Sequence, residues 1–191
     1  MTMPVEQRTA VPATRRPFGD RLIGAARLRA DVYEEVEADT SATPQAALVV
    51  CLSAAAFAIG ESRAGITLVA WAVFRELVGW LLWSGITYLI GARLLRGVAT
   101  WGELLRTVGF AQGPGVLSAL RVVAVLDAPV KYSVATWKLL AVIVAIRQAC
   151  DFDEGRWGTG KAMLTAGLGF IAYVSLAFLE TMLLGEIRLP F

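Results

Sequence analysis

Trp101-Gly-Glu-Leu-Leu-Arg-Thr-Val-Gly-Phe-Ala-Gln-Gly-Pro-Gly-Val-Leu117 sets a polar-edged helix entrance directly before an apolar segment interrupted by Gly113-Pro114-Gly115. A proline inside a helix removes a backbone hydrogen bond and disfavours helical geometry at the residue before it, so a kink or local break is expected at Gly113. In lipid, such a break is tolerated only where neighbouring helices, side chains or trapped water satisfy the freed groups. The segment therefore belongs inside a bundle.

The rest of the chain agrees with a membrane setting. Of its 191 residues, 57% are hydrophobic, and the mean hydropathy is +0.61, too apolar for a soluble domain of this length. The net charge is only +2 and the bases are scattered, which argues against nucleic acid as a partner. There is no histidine, so the commonest general base and metal ligand is missing. Cys51 and Cys150 lie far apart without a Cys-x-x-Cys context and read as small apolar residues, with no metal or cofactor expected. Residues 1–20 hold Pro4, Pro12, Pro17 and several arginines but no apolar core, so no cleavable signal peptide is expected.

Residues 1–16 read as a disordered cytosolic tail. From Phe18 to Ala38, Phe18, Leu22, Ala25, Leu28, Val32 and Val36 recur at helical spacing between charged residues, predicting one amphipathic helix. Arg21, Arg27 and Arg29 cluster at its start and are expected to lie near anionic headgroups. Two uses of that helix are open: packing on its own bundle, or docking lipid or a partner.

Five apolar spans are expected after it. Thr40 to Pro44 offers a cap and a helix-start proline for the first, Gln45 to Gly60, which is short for a hydrocarbon core of about 30 Å. Its small residues Ala54, Ala56, Ala58 and Gly60 would admit a close neighbour. The second, Ile66 to Leu95, is read as a single long helix through the Arg75-Glu76 pair. The third is the kinked one, Leu104 to Leu126, with a turn at Asp127-Ala128-Pro129. The fourth runs from Val130 to Cys150, and the fifth from Ala162 to Leu184, after a loop at Asp151 to Lys161. Gly158-Thr159-Gly160-Lys161 in that loop lacks the strand context and spacing of a phosphate loop. The predicted architecture is all-α: a five-helix integral membrane bundle over residues 43–191, preceded by a cytosolic region, 1–42, with the amphipathic helix.

Several stretches taken in order resemble one known family. Gly109-Phe110-x-x-x-Pro114 looks like the Gly-Tyr-x-x-x-Pro signature of Yip1-domain membrane proteins, with Phe in place of Tyr. Trp80-x-x-Trp83 before Tyr88-Leu89-Ile90-Gly91, Glu103-Leu104-Leu105-Arg106, Trp137, and Arg147-Gln148-Ala149-x-Asp151 are similar to prokaryotic members. The run from Ala26 through Val32-Tyr33-Glu34-Glu35-Val36 to Asp39 adds to the likeness. The Asp-Leu-Tyr-Gly-Pro motif associated with eukaryotic members is absent, so their role in Rab-dependent vesicle traffic is not carried over. The resemblance implies a membrane fold and a part in organising membrane components, and little chemistry. Gly109, Phe110, Gly113, Pro114 and Gly115 are then determinants of the bundle rather than ligands.

Lys and Arg divide unevenly between the two sides of the predicted bundle. Twelve fall in the N-terminal region and the loops at 93–107 and 147–161, against three (Arg63, Lys131, Arg188) on the other side. That split puts the N-terminus in the cytosol and the C-terminus outside the cell membrane. Arg75, Glu76, Arg121, Lys138 and Glu180 then fall in the outer half of the membrane beside Asp127. Intramembrane charges are costly and usually pair or face a watered cavity. Arg75 with Glu180 and Lys138 with Asp127 are the expected pairs. The set reads either as a polar cavity for a lipid headgroup or small anion, or as snorkelling side chains with a few ion pairs.

No hydrolase elbow, metalloprotease helix or Ser-Lys pair is present, so no catalytic role is expected. The function read from the chain is a non-catalytic scaffold. It would act through lateral contacts of small-residue faces such as Gly109-x-x-x-Gly113, with membrane lipids, other membrane proteins or copies of itself as partners. A small transporter or channel subunit is the alternative, for which the kinked span beside a charged cluster would form a path.

Overall fold

The computed structural model describes residues 15–61, 65–152 and 156–184, with side chains except at 156, 173 and 176–184. Among these residues every regular element is helical: α1 (Phe18–Ala26), α2 (Ala30–Ala38), α3 (Thr43–Gly60), α4 (Ile66–Tyr88), α5 (Trp101–Phe110), α6 (Asp127–Ala149) and α7 (Arg156–Leu184). Three stretches are long and apolar enough to cross a membrane, Thr40–Gly60, Ile66–Leu94 and Ala124–Ala149.

The amphipathic segment is two helices, not one. Leu28 adopts a left-handed φ of 61°. Its N–H bonds to Ala25 O while the Arg29 N–H bonds to Gly24 O, closing α1 with a paired C-terminal turn. A leucine in that conformation is uncommon, and hydrophobic spacing that runs straight through it hides the break. Gly24 lets α2 fold back closely, because a Cβ there would lie 2.6 Å from Val32 Cγ2. The buried Tyr33 hydroxyl donates to Ala25 O across the turn. The predicted tail, residues 1–16, lies outside the described residues except for Arg15 and Arg16, and both of these are ion-paired to α2 or its end.

α3 begins as read, with Asp39 capping a short 3₁₀ turn, Thr40–Ala42, and Pro44 in the first helical turn. α4 is a single helix that continues into a π-helical turn at Leu89–Leu94. α6 starts at Asp127, so the expected turn is its first turn; Pro129 fits there because the first N–H groups have no helical acceptor. α7 likewise starts earlier than expected, taking Gly158 to Lys161 into helix.

The stretch quoted first lies at the centre. Thr100 accepts from the Glu103 N–H while its own N–H donates to Glu103, a capping box that starts α5. α5 stops at Phe110, and the chain proceeds as a 3₁₀ helix, Gly113–Val122, so the break is a change of helix type beyond a simple kink. Every residue from 104 to 115 is buried. Leu104, Val108 and Phe110 pack among Val32 and Val36 of α2, Val49 and Val50 of α3, and Val142 and Ile146 of α6. A Cβ at Gly109 would meet Ala46 Cβ at 2.7 Å and Trp80 at 3.2 Å, and one at Gly113 would meet Leu22 at 3.0 Å. Gly109-x-x-x-Gly113 is therefore covered by the chain's own α1, α3 and α4, and this corrects the expectation that it faces other proteins. Trp80 Nε1 donates to Leu105 O, fastening α4 to α5.

Candidate functional site

Two groups of charged residues stand out in this framework, one around a cavity and one beneath α1 and α2. The first is a cavity of about 160 Å³ beside the break that follows α5. Ser53 and Phe57 reach it from one face of α3, being one helical turn apart. Ala72, Arg75 and Glu76 line it from α4, Ser118 from the 3₁₀ helix and Lys138 from α6. Gly115 holds the space open, since a Cβ there would lie 1.9 Å from Ser53 Oγ and 3.6 Å from Lys138 Cδ. Lys138 Nζ stands 4.0 Å from Glu76 Oε1, a loose pair.

Arg121 lies next to the cavity and is differently held. It donates to Glu61 at 2.7 Å and to Asp127 at 2.9 Å, and its guanidinium lies 5.2 Å from the centre of the Phe57 ring. The end of α3 is thereby tied to the start of α6. A Cβ at Gly60 would lie 2.1 Å from Ser118 O, so the 3₁₀ helix and α3 touch through backbone, as the small residues of α3 implied.

The predicted charges thus separate into two sets. Arg75, Glu76 and Lys138 share the cavity, while Arg121 and Asp127 pair with each other and with Glu61. Lys138 pairs with Glu76 and not with Asp127, because Arg121 already engages that carboxylate from six residues away. The Glu180 side chain lies outside the described residues, and with it the Arg75–Glu180 pair. Sequence reading missed Ser53, Ser118 and Glu61. The two serines carried a signal as lone hydroxyls within apolar runs.

The second group lies under α1 and α2. Arg21 is fully buried, which corrects its expected place among headgroups; Arg27 and Arg29 are exposed. Its guanidinium donates to Glu35, Asp39 and Gln45 at 2.8–3.1 Å. Burial opposes the Arg21 charge, but its hydrogen bonds to both carboxylates outweigh that, and it holds its proton more tightly than usual. Burial pushes Glu35 and Asp39 upward in turn; Arg21, together with Arg16 at Glu35 and Ser41 at Asp39, brings both below the ordinary carboxylate value.

Arg106 of α5 donates to the Val36 and Glu37 carbonyls at the end of α2. The Glu37 carboxyl, by contrast, is raised to about 7 by burial and by the nearby Asp151 and Glu103. Trp137 Nε1 donates to Ala26 O and Gln148 to Glu34, so the α1–α2 hairpin is bound along α6. The amphipathic segment is packed on its own bundle.

A family model described as the Yip1 domain matches residues 30–179, from the start of α2 into α7. Comparison with curated proteins and with solved structures finds no match.

Proposed function

The chain belongs to the Yip1-domain family of membrane proteins, and from that premise we propose a non-catalytic, multi-pass protein that organises other membrane components through helix–helix, lipid and partner contacts. The observation that carries this reading is the outer surface of α4. Only 11% of its apolar window is buried within the chain, against 44% for the window that includes α3. Trp71, Phe74, Leu81 and Leu82 are all exposed along it. A helix so little used by its own bundle is available to lipids and to neighbouring helices. In this reading α3, α4, α5 with its 3₁₀ extension, α6 and α7 form five spans, with the N-terminus in the cytosol and the C-terminus outside.

Photo-crosslinking residues placed at Leu81 and Leu82 test the organising role in native membranes. Discrete protein adducts, absent from a control placed at the buried Ala145, are the expected result. Lipid adducts alone would overturn it.

The cavity favours a second reading, a small transporter or channel subunit. With Cys51 and Cys150 replaced by Ala, single cysteines at Arg75 and Lys138 should react with a membrane-impermeant thiol reagent on intact cells if that reading holds. Protection at both positions would refute it.

A further inference from the structure

Ser53 and Ser118 are 4% and 5% exposed, both line the cavity, and neither hydroxyl makes a hydrogen bond among the described residues. Serines in helices ordinarily bond back to a carbonyl of the preceding turn, and buried polar groups are nearly always satisfied. Both line the cavity, with Ser53 Oγ packed against Gly115, and both keep a donor to spare. The bases beside them are also under-used. Lys138 reaches Glu76 only at 4.0 Å, whereas Arg21 and Arg121 meet their carboxylates at 2.7–2.9 Å, and Arg75 makes no ion pair among the described residues.

With Arg75, Lys138 and Glu76 ionised, the lining carries one net positive charge. Four sets of donors (a guanidinium, an ammonium and two hydroxyls) converge on a volume equal to about five waters' share of the liquid. That size and that donor excess suit a tetrahedral oxyanion of single charge better than they suit water alone. α4 and α6 meet at the loose Glu76–Lys138 pair with little close backbone packing between them, and Arg75 is exposed, so the cavity is reachable from the side of the bundle.

We infer that the Ser53–Ser118–Lys138–Arg75 cavity binds a monoanionic phosphate group, supplied either by the phosphodiester of an anionic lipid or as free phosphate. Glu76 sets the charge limit and holds Lys138 in place when the site is empty. Gly115 keeps the volume free. The inference rests on α3, α4 and α6 spanning the membrane and on neither role proposed above.

The test uses the purified full chain in nanodiscs of phosphatidylcholine alone or with phosphatidylglycerol, and in micelles with inorganic phosphate. Bound lipid is read by native mass spectrometry and protection by thermal melting. Wild type should retain phosphatidylglycerol over phosphatidylcholine if lipid is the source. If free phosphate is the source, its melting point should rise with phosphate and not with phosphatidylglycerol. In either case Lys138→Met and the double change Ser53→Ala, Ser118→Ala should weaken binding about tenfold or more, as loss of a charge-assisted hydrogen bond implies, while Lys131→Met leaves it unchanged. Ser118→Ala alone keeps the test open should Lys138→Met fail to fold. Binding of neither probe, or equal binding by variants that melt like wild type, would overturn the proposal. No partner protein enters the assay, so its failure and that of the α4 cross-links are separable.

Discussion

Arg21 and Lys138 are both bases set among packed helices, but Arg21 is fully buried while the Lys138 side chain is 29% exposed, and their partners differ as well. Around Arg21 each of the three guanidinium nitrogens donates, to Glu35, Asp39 or Gln45. Around Lys138 there is a single carboxylate at 4.0 Å, two unengaged hydroxyls and an open volume. A network so extensively paired fixes the placement of α1 and α2. An unsaturated one contributes little to stability and retains capacity to bind. Burial alone does not tell a fully paired charge from one that keeps donors to spare.

Replacing Arg21 is the strongest way to break that contrast. Arg21→Met should destabilise by about 3 kcal/mol, because it removes the fully buried partner that Glu35, Asp39 and Gln45 share and leaves Glu35 to Arg16 and Asp39 to Arg15 and Ser41. Thermal melting in micelles would show this, together with exposure of α1 and α2 to protease. Gly115→Ala should cost about 2 kcal/mol through its collision with Ser53 Oγ, with part recovered in the Ser53→Ala background. Full additivity of the two changes would show that the cavity wall is softer than its geometry implies. Arg106→Lys should cost about 1.5 kcal/mol, since an ammonium cannot reproduce the guanidinium's contacts to two adjacent carbonyls.

The pH response distinguishes carboxylates within the first region. Glu37 is raised from 4.5 to about 7 in the fold, so the folded state binds its proton more tightly than the unfolded chain does. Stability from this group is complete below the unfolded value and lost as pH rises through about 7. Glu35 and Asp39 are shifted the other way, and their contribution is lost only as pH falls through their lowered values. Glu37→Gln should therefore flatten the fall in melting temperature between pH 4.5 and about 7 and leave the more acid limb unchanged. The smallest effect belongs to Lys138→Met, expected within about 0.5 kcal/mol of wild type without ligand, since its pair with Glu76 is long and partly exposed. A loss comparable to that of Arg21→Met would mark the cavity as structural.

The helical spans were largely legible, because an apolar run of membrane length, a capping residue and a proline each act locally. Pro44 and Gly113-Pro114-Gly115 marked a helix start and a helix break where the structure has them. The Yip1 family was legible from the order of short motifs around Gly109. The break at Leu28 was not, since a leucine in a left-handed turn keeps the hydrophobic spacing intact. Nor was the start of α6, where a proline acceptable in a first turn looks the same as one in a loop.

Charge partners were the least legible part. An arginine in an amphipathic helix has the same local signature whether it faces headgroups or lies beneath a hairpin, and only the fold of α1 against α2 and α3 decided which. From its sequence alone, the chain determined its membrane character, its helices and the broken segment at its centre, since these follow from residue type over short distances. The pairing of Arg21 with Glu35 and Asp39, of Arg121 with Glu61, and the gap left around Lys138 depended on helices far apart in sequence. Electrostatic partners are chosen by distance in space, and tertiary packing sets that distance.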